Sequence, residues 1–131
     1  MEVAVYRAPI GRPVQTAFGT MTDRPAVIVR ALERDGTAGF GEVWCNFPPC
    51  GAEHRASLVT STIAPLVVGR HWASPQVLFR DLSVRLHKLA LQAGEPGPIA
   101  QVIAGVDIAL WDLVARRAGQ PLWRLLGGRD V

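Results

Sequence analysis

Glu42 to His54 reads EVWCNFPPCGAEH. It gathers both cysteines of the chain, three rings (Trp44, Phe47 and His54) and the pair Pro48-Pro49 into thirteen residues. Thiols and an imidazole together suit zinc, and a thiol beside a base suits nucleophilic catalysis. The spacing favours neither. A zinc site takes about four N/S ligands at spacings such as C-x2-C, whereas four residues separate Cys45 from Cys50 and only His54 lies near them. A disulfide between them would close a very small loop. No basic-then-apolar segment follows Met1-Glu2, so no signal peptide is visible and the cysteines are expected as reduced, cytoplasmic thiols. The alternatives left are a stiff loop that touches a ligand or one that only fills space.

Other catalytic patterns are absent. There is no G-x-S-x-G, no G-x-G-x-x-G opening a helix and no phosphate-binding G-x4-G-K-S/T loop. Asp107 and Asp112 sit five apart in a helical stretch, about 140° around the axis, so they do not share a face as an acid and base would. Asp112 and Arg116 are at i, i+4 and can pair. Asp107, between apolar neighbours, is expected as a buried, hydrogen-bonded carboxyl. His54, His71 and His87 are far apart and read as surface or capping residues. Catalytic residues: none; metal ligands: none.

Composition bounds the partners. The chain has 131 residues, one domain's worth. Its 14 basic and 11 acidic residues leave a net charge of +3. The arginines are scattered, with Arg116-Arg117 the sole adjacent pair, which is not the stripe that nucleic acid requires. The longest uncharged run, Ala56 to Gly69, is shorter than the ~18–20 apolar residues of a spanning helix and holds Ser57, Thr60, Ser61, Thr62 and Pro65. Neither nucleic acid nor membrane is expected. With glycine included, the apolar share is roughly 58%, above the ~45–50% of ordinary domains, and mean hydropathy is +0.19. A further surface to dock on would absorb that excess.

The elements run strands first, then helices, an α+β order. Val3 to Ile10 reads as a strand with Val3, Val5 and Arg7 spaced by two. Gly11 to Arg24 shows no period and reads as a long loop. Pro25 to Glu33 alternates, Asp35-Gly36 signals a tight hairpin with both central residues at positive φ, and Thr37 to Trp44 returns. Gly39 and Gly41 in that return strand imply close backbone packing. A three-stranded antiparallel meander is thus expected, followed by about three helices. The first carries Ala52, Ala56, Val59 and Ile63 on one face and stops before Pro65. The second opens at Ser74-Pro75 and buries Leu78, Leu82, Leu86 and Leu89. Gly94 to Pro98 breaks it. The third spans Ile99 to Ala118, burying Ile99, Val102, Ile103, Val106, Leu110, Leu113 and Val114, and stops at Gly119. One more turn, PLWRLL, ends at Gly127-Gly128.

Ile103 to Gly128, IAGVDIALWDLVARRAGQPLWRLLGG, closely resembles the last helix and exit of the N-terminal capping domain of the mandelate racemase/muconate lactonizing enzyme family, a branch of the enolase superfamily. The meander and the G-x-G-E of Gly39 to Glu42 agree, so the resemblance covers essentially the whole chain. It implies a capping domain over 1–128, with 129–131 starting a linker to a (β/α)7β barrel that is not in this sequence. It also implies Mg²⁺ held by carboxylates of that barrel, and acid/base residues there that remove a proton α to a carboxylate; metal stabilisation of the resulting charge is a general strategy of enolase-superfamily sites. The reaction expected is a hydroxy-acid or sugar-acid dehydration, with racemisation or cycloisomerisation as the alternative. The partners expected are the barrel domain, a small carboxylate substrate and further copies in a homo-oligomer. A free-standing binding or assembly module that keeps this fold is the reading from a different class.

The family closes its barrel mouth with the loops after the first and third strands. Here these are about Val14 to Arg24 and Trp44 to Gly51. The resemblance assigns Phe18, Met21, Trp44 and Phe47 as apolar walls, and Thr20 and Asn46 as hydrogen-bonding residues, of a substrate lid. Pro48-Pro49 would stiffen it, and closure would exclude water.

Overall fold

The structure is a computed structural model and describes residues 1–129. Of the expected linker start at 129–131, residues 130 and 131 lie outside the described residues. Three strands, β1 (Glu2–Thr16), β2 (Gly19–Leu32) and β3 (Ala38–Val43), form one antiparallel sheet in the order β1-β2-β3. The period of two seats Val27, Val29 and Ala31 of β2 in the core with Val43 of β3, while Ile28 and Arg30 face the other way.

The stretch 11–24 is not a loop. It is the far arm of the β1–β2 hairpin, turned through Ala17 and Phe18 with Thr16 opposite Gly19. Thr16 Oγ1 donates to the Gly19 carbonyl at 2.9 Å and accepts from the Phe18 N–H at 3.2 Å, and Gly19 takes φ +135°. The arm buries little, so no apolar alternation marks it; its main-chain ladder alone makes it a strand. The register slips between Pro9 and Val14, where four residues of β1 stand opposite Thr22 alone, a bulge suited to prolines that cannot donate. The β2–β3 connection also differs from expectation. Asp35 keeps a negative φ, and only Gly36 is positive, at +91°. The Asp35 carboxylate instead accepts the Thr37 N–H at 2.9 Å, inside a five-residue loop closed by Glu33 N–H to Thr37 O.

The helical layer begins with α1 (Gly51–Leu58), a π-helical segment (Val59–Ile63) and α2 (Ala64–Val67). This run passes through Pro65 rather than stopping before it. The wider π turn, with Ala64 N–H bonded to Val59 O, places Pro65 in the first turn of α2, where its missing N–H is tolerated. Helix α3 (Pro75–Gln92) starts as expected, with Ser74 Oγ accepting from Val77 N–H at 3.3 Å. It buries Leu78, Leu82 and Leu86, but Ala90 takes the place expected for Leu89, which is exposed. Gly94 turns the chain at φ +68°, and Glu95 N–H closes on Ala90 O at 2.9 Å.

Helix α4 (Pro96–Arg117) starts three residues earlier than the pattern suggests, because prolines fit a first turn. Ile99, Val102, Ile103, Val106 and Leu113 are buried as expected, whereas Leu110 and Val114 are half-buried. Gly119 ends α4 at φ +64°, and α5 (Leu122–Leu125) follows.

Helix α4 packs most closely on β3. A Cβ on Gly41 would stand 2.2 Å from Gly105 O, and one on Gly39 would stand 2.2 Å from Ala109 O. The glycines therefore let the helix ride directly on the strand backbone. Asp112 of α4 completes the seam by accepting Phe40 N–H at 2.8 Å and Arg116 Nε at 2.7 Å. Among the described residues α4 is also long and apolar enough to cross a membrane, at a mean hydropathy of 1.5. Here it is the core helix, with β3 and α3 packed against it.

Candidate functional site

Two segments project from one end of the sheet: the hairpin tip at Ala17-Phe18, and the loop from Trp44 to Cys50 that leads β3 into α1. They meet. The Phe47 ring edge lies 3.7 Å from where a Cβ on Gly19 would stand, so the loop's central aromatic covers the hairpin just behind its turn. Phe18 is 87% exposed at the tip. Thr20 Oγ1 donates to Gln15 Oε1 across the hairpin. The Met21 sulfur accepts from Arg24 at 3.7 Å. Asn46 and Phe47 are half-buried, and the Phe47–Pro48 peptide is cis. Trp44 stands apart from this cluster. It continues the alternation of Phe40 and Glu42, on the outer sheet face and away from buried Val43 and Cys45.

Sequence reasoning missed the group that ties these pieces together. By its period-two spacing Arg7 follows Val3 and Val5 on the helix side of β1. It lies where the covering helices run out, so a charged side chain replaces an apolar one. Its Nε and one terminal nitrogen donate to Glu53 at 2.7–3.0 Å; that same terminal nitrogen also donates to the Pro49 carbonyl at 2.7 Å. The other terminal nitrogen donates to Asp23 at 2.9 and 3.2 Å. One guanidinium thus holds the hairpin arm, the 44–50 loop and the first turn of α1. Hydrogen bonding from Arg7 pulls the Glu53 carboxyl below the usual carboxylate range, and Glu53 in turn raises Arg7. A carboxylate in a helix's first turn is also favoured by the exposed N–H groups there. The signal available in the sequence was Arg7 at an inward strand position; its partners, far along the chain, left none.

Beneath the loop the packing is dense. Cys45 and Cys50 are free thiols, one buried and the other exposed. Burial pushes the Cys45 thiol above its ordinary pKa. A Cβ on Gly51 would meet Cys45 Sγ at 2.7 Å. Arg55 of α1 is buried, donating to Gln101 Oε1 at 3.0 Å and to Gly51 O at 3.4 Å. His54 Nε2 lies 2.9 Å from Glu95 Oε1, linking α1 to the α3–α4 turn. Asp107 departs from expectation: it is half-buried, has no hydrogen-bond partner among the described residues, and desolvation raises its pKa. It lines a shallow groove with Phe79, Arg80 and Trp111. A larger groove of about 770 Å³, lined by Leu32, Val67, Trp72 and Leu113 among others, includes none of the expected lid residues.

Among the described residues no group of three His, Cys, Asp or Glu could hold a metal ion. The two joined segments present apolar rings, the Thr20 hydroxyl, the Asn46 amide and the Arg7 clasp.

A three-stranded antiparallel meander carrying a helical layer, with the hairpin tip and the 44–50 loop joined at one end, makes an α+β domain. The family model for the mandelate racemase / muconate lactonizing enzyme N-terminal domain matches residues 1–127, and the chain belongs to that family. A mandelate racemase/muconate lactonizing enzyme from Bordetella bronchiseptica RB50 is 54% identical with a TM-score of 0.86, over 98% of this chain and 32% of that one. A racemase from Streptomyces coelicolor, solved with bound magnesium, is 30% identical with a TM-score of 0.83, over 98% of this chain and 35% of that one. The 3,6-anhydro-alpha-L-galactonate cycloisomerase of Streptomyces coelicolor is 32% identical over 127 residues, covering 96% of this chain and 34% of that protein. Other curated relatives carry the names of D-galactonate dehydratase family members, a D-mannonate dehydratase and an N-succinylamino acid racemase. The chain spans about a third of the length of the first of these curated relatives.

Proposed function

We propose that this chain covers the substrate of a magnesium-dependent enzyme that removes a proton α to a carboxylate, with the hairpin tip and the 44–50 loop as the two halves of its lid. The observation that carries this reading is the meeting of Phe47 with the hairpin at Gly19. It closes two loops of very different sequence position into one wall. The names of the relatives divide among dehydratases, racemases and a cycloisomerase and favour none of them, so the proposal stops at the shared first step.

In that step the charge that builds on the substrate carboxylate would be stabilised by Mg²⁺ when bound. The described residues of this chain contain no ligand set for it, so in this reading the metal and the acid/base groups belong to a barrel domain of the longer protein. Phe18, Met21 and Phe47 line the lid with apolar surface, Asn46 offers hydrogen bonds to a substrate hydroxyl or carboxylate, and Thr20, whose proton goes to Gln15 Oε1, offers an acceptor for a substrate hydroxyl. Trp44, on the outer sheet face, forms a rim. Excluding water around the reacting carbon strengthens every charge interaction enclosed with it.

The test is Phe47→Ala in the full-length enzyme, with kcat/KM measured on two substrates of different size alongside the melting temperature. A lid wall discriminates by fit, within the roughly 1–3 kcal/mol reach of an apolar contact. The substrate ratio should therefore change while the shape of the pH profile stays. A lowered melting temperature with a constant substrate ratio would make Phe47 a packing residue and refute its place in the lid.

A further inference from the structure

We propose that Arg7 is a positioning residue that makes the hairpin tip and the 44–50 loop a single body, so that neither half of the lid moves without the other. This rests on the lid reading but asks more of it, because two loops at one mouth could equally open separately. The guanidinium is planar, and its five N–H groups point in fixed directions. Here all three of its nitrogens donate. One edge faces Glu53, the opposite end faces Asp23, and the Pro49 carbonyl takes a bond between them. The three acceptors belong to three different segments: the hairpin arm, the loop and α1. Because the fork is rigid, a shift of one acceptor tilts the plane and degrades the bonds to the other two.

A second link closes the ring further out, where Phe47 rests on Gly19. Hairpin, loop and helix end are thus fastened at base and tip. Such pairs contribute little to stability one at a time at an exposed surface. What this arrangement supplies is geometry: the Glu53 carboxylate makes its hydrogen bonds to Arg7 and none to the 11–24 arm, yet through Arg7 it bears on where that arm stands. For the proposed lid, a substrate that displaces the hairpin tip also displaces Asn46 and Phe47, and the two walls select as one.

The experiment is amide hydrogen exchange on this chain, resolved by residue, for wild type and for Glu53→Gln, Arg7→Met and Arg7→Lys. The coupling predicts that Glu53→Gln speeds exchange at Val14 to Met21 severalfold, as Arg7→Met does, while the α4 core from Val102 to Leu113 stays protected. Arg7→Lys keeps the charge but not the fork and should behave like Arg7→Met. Glu2→Gln, which breaks the Arg30 pair elsewhere on the sheet, should leave the hairpin tip unchanged. If Glu53→Gln alters only the 44–50 loop and α1, the two halves are independent and the proposal fails. It fails equally if Arg7→Lys preserves wild-type exchange in both segments. Should Glu53→Gln loosen α4 as well, Glu53→Asp is the decisive variant: hairpin exchange must rise with α4 protected, and an unchanged hairpin overturns the coupling. None of these readouts involves turnover, so a failed substrate-ratio test at Phe47 and a failed coupling remain distinct results.

Discussion

Gly41→Ala should be among the costliest single-methyl additions in this chain. The added carbon would sit 2.2 Å from the Gly105 carbonyl oxygen and 2.6 Å from the Ala109 nitrogen. Both are backbone atoms of α4, so no side chain can swing aside. Restoring an ordinary contact forces α4 back from β3 by roughly 1 Å, and a gap of that order forfeits about a quarter to a half of each contact's attraction. The retreat is felt by Val43, Val102, Val106 and Ala109, all fully buried. Overpacking a core typically costs about 1–3 kcal/mol, occasionally more. With unyielding backbone on one side and α3 behind the helix, a loss of about 3 kcal/mol is expected, at the top of that range. At a urea m-value of about 1–3 kcal/mol/M, the midpoint should fall by roughly 1–3 M. The control is Gly97→Ala, in the first turn of α4 with nothing within 4 Å of the added carbon. It should be neutral or stabilising by about 0.4–1 kcal/mol through the unfolded chain. If the Gly41→Ala midpoint matches wild type while the control behaves, α4 does not ride on the strand backbone and the account of the seam is wrong.

The cysteines should separate cleanly. Iodoacetamide at pH 8 should modify exposed Cys50 rapidly and buried Cys45 slowly, as followed by mass spectrometry; equal rates would contradict the burial of Cys45. Cys50→Ser should change stability by less than about 0.5 kcal/mol, whereas Cys45→Ser should cost about 1–3 kcal/mol by burying a hydroxyl with poor partners. For Asp107 the folded pKa lies above the unfolded value, because burial disfavours the charged form. The folded state is therefore penalised above that pKa, and the penalty disappears as pH falls below the unfolded value near 4. Asp107→Asn should raise the melting temperature at pH 7 and lose that advantage by about pH 3; an advantage independent of pH would mean that desolvation of the charge is not the cause.

Most of the fold was legible because burial writes a period into the chain. Val27, Val29 and Ala31 alternate, Leu78, Leu82 and Leu86 repeat by four, and Ser74, Gly94 and Gly119 mark helix ends by local geometry. The glycines at 39 and 41 signalled close backbone packing, though not the helix they meet. The failures have separate causes. The hairpin arm from Gly11 to Arg24 forms through its main-chain ladder, so no apolar pattern betrays it. Pro65 looked like a stop because a π turn cannot be read from residue types. Leu89 fits the period, but no neighbour covers it. In the candidate site, the two segments proposed as a lid came from the family resemblance rather than from periodicity. Arg7 escaped notice because the partners that give it meaning stand at 23, 49 and 53, and pairwise proximity of distant residues leaves no trace in spacing.

The contact of α4 with β3 also sets a schedule for synthesis. The sheet is complete at Val43, but the helix that covers it is not finished until Arg117. Some seventy residues must be made in between, which takes about 4–15 s at 5–20 residues per second. Throughout that interval the face of β3 at Gly39, Gly41 and Val43 lacks its principal cover, and the Phe40 N–H on the outer edge of β3 lacks its Asp112 acceptor. An open sheet with a free edge invites pairing with a neighbouring nascent chain. On the ribosome, then, the domain is most vulnerable while its meander waits for α4. Slow decoding between codons 44 and 95 would lengthen that exposure, whereas a pause after codon 117 would let the helix dock first.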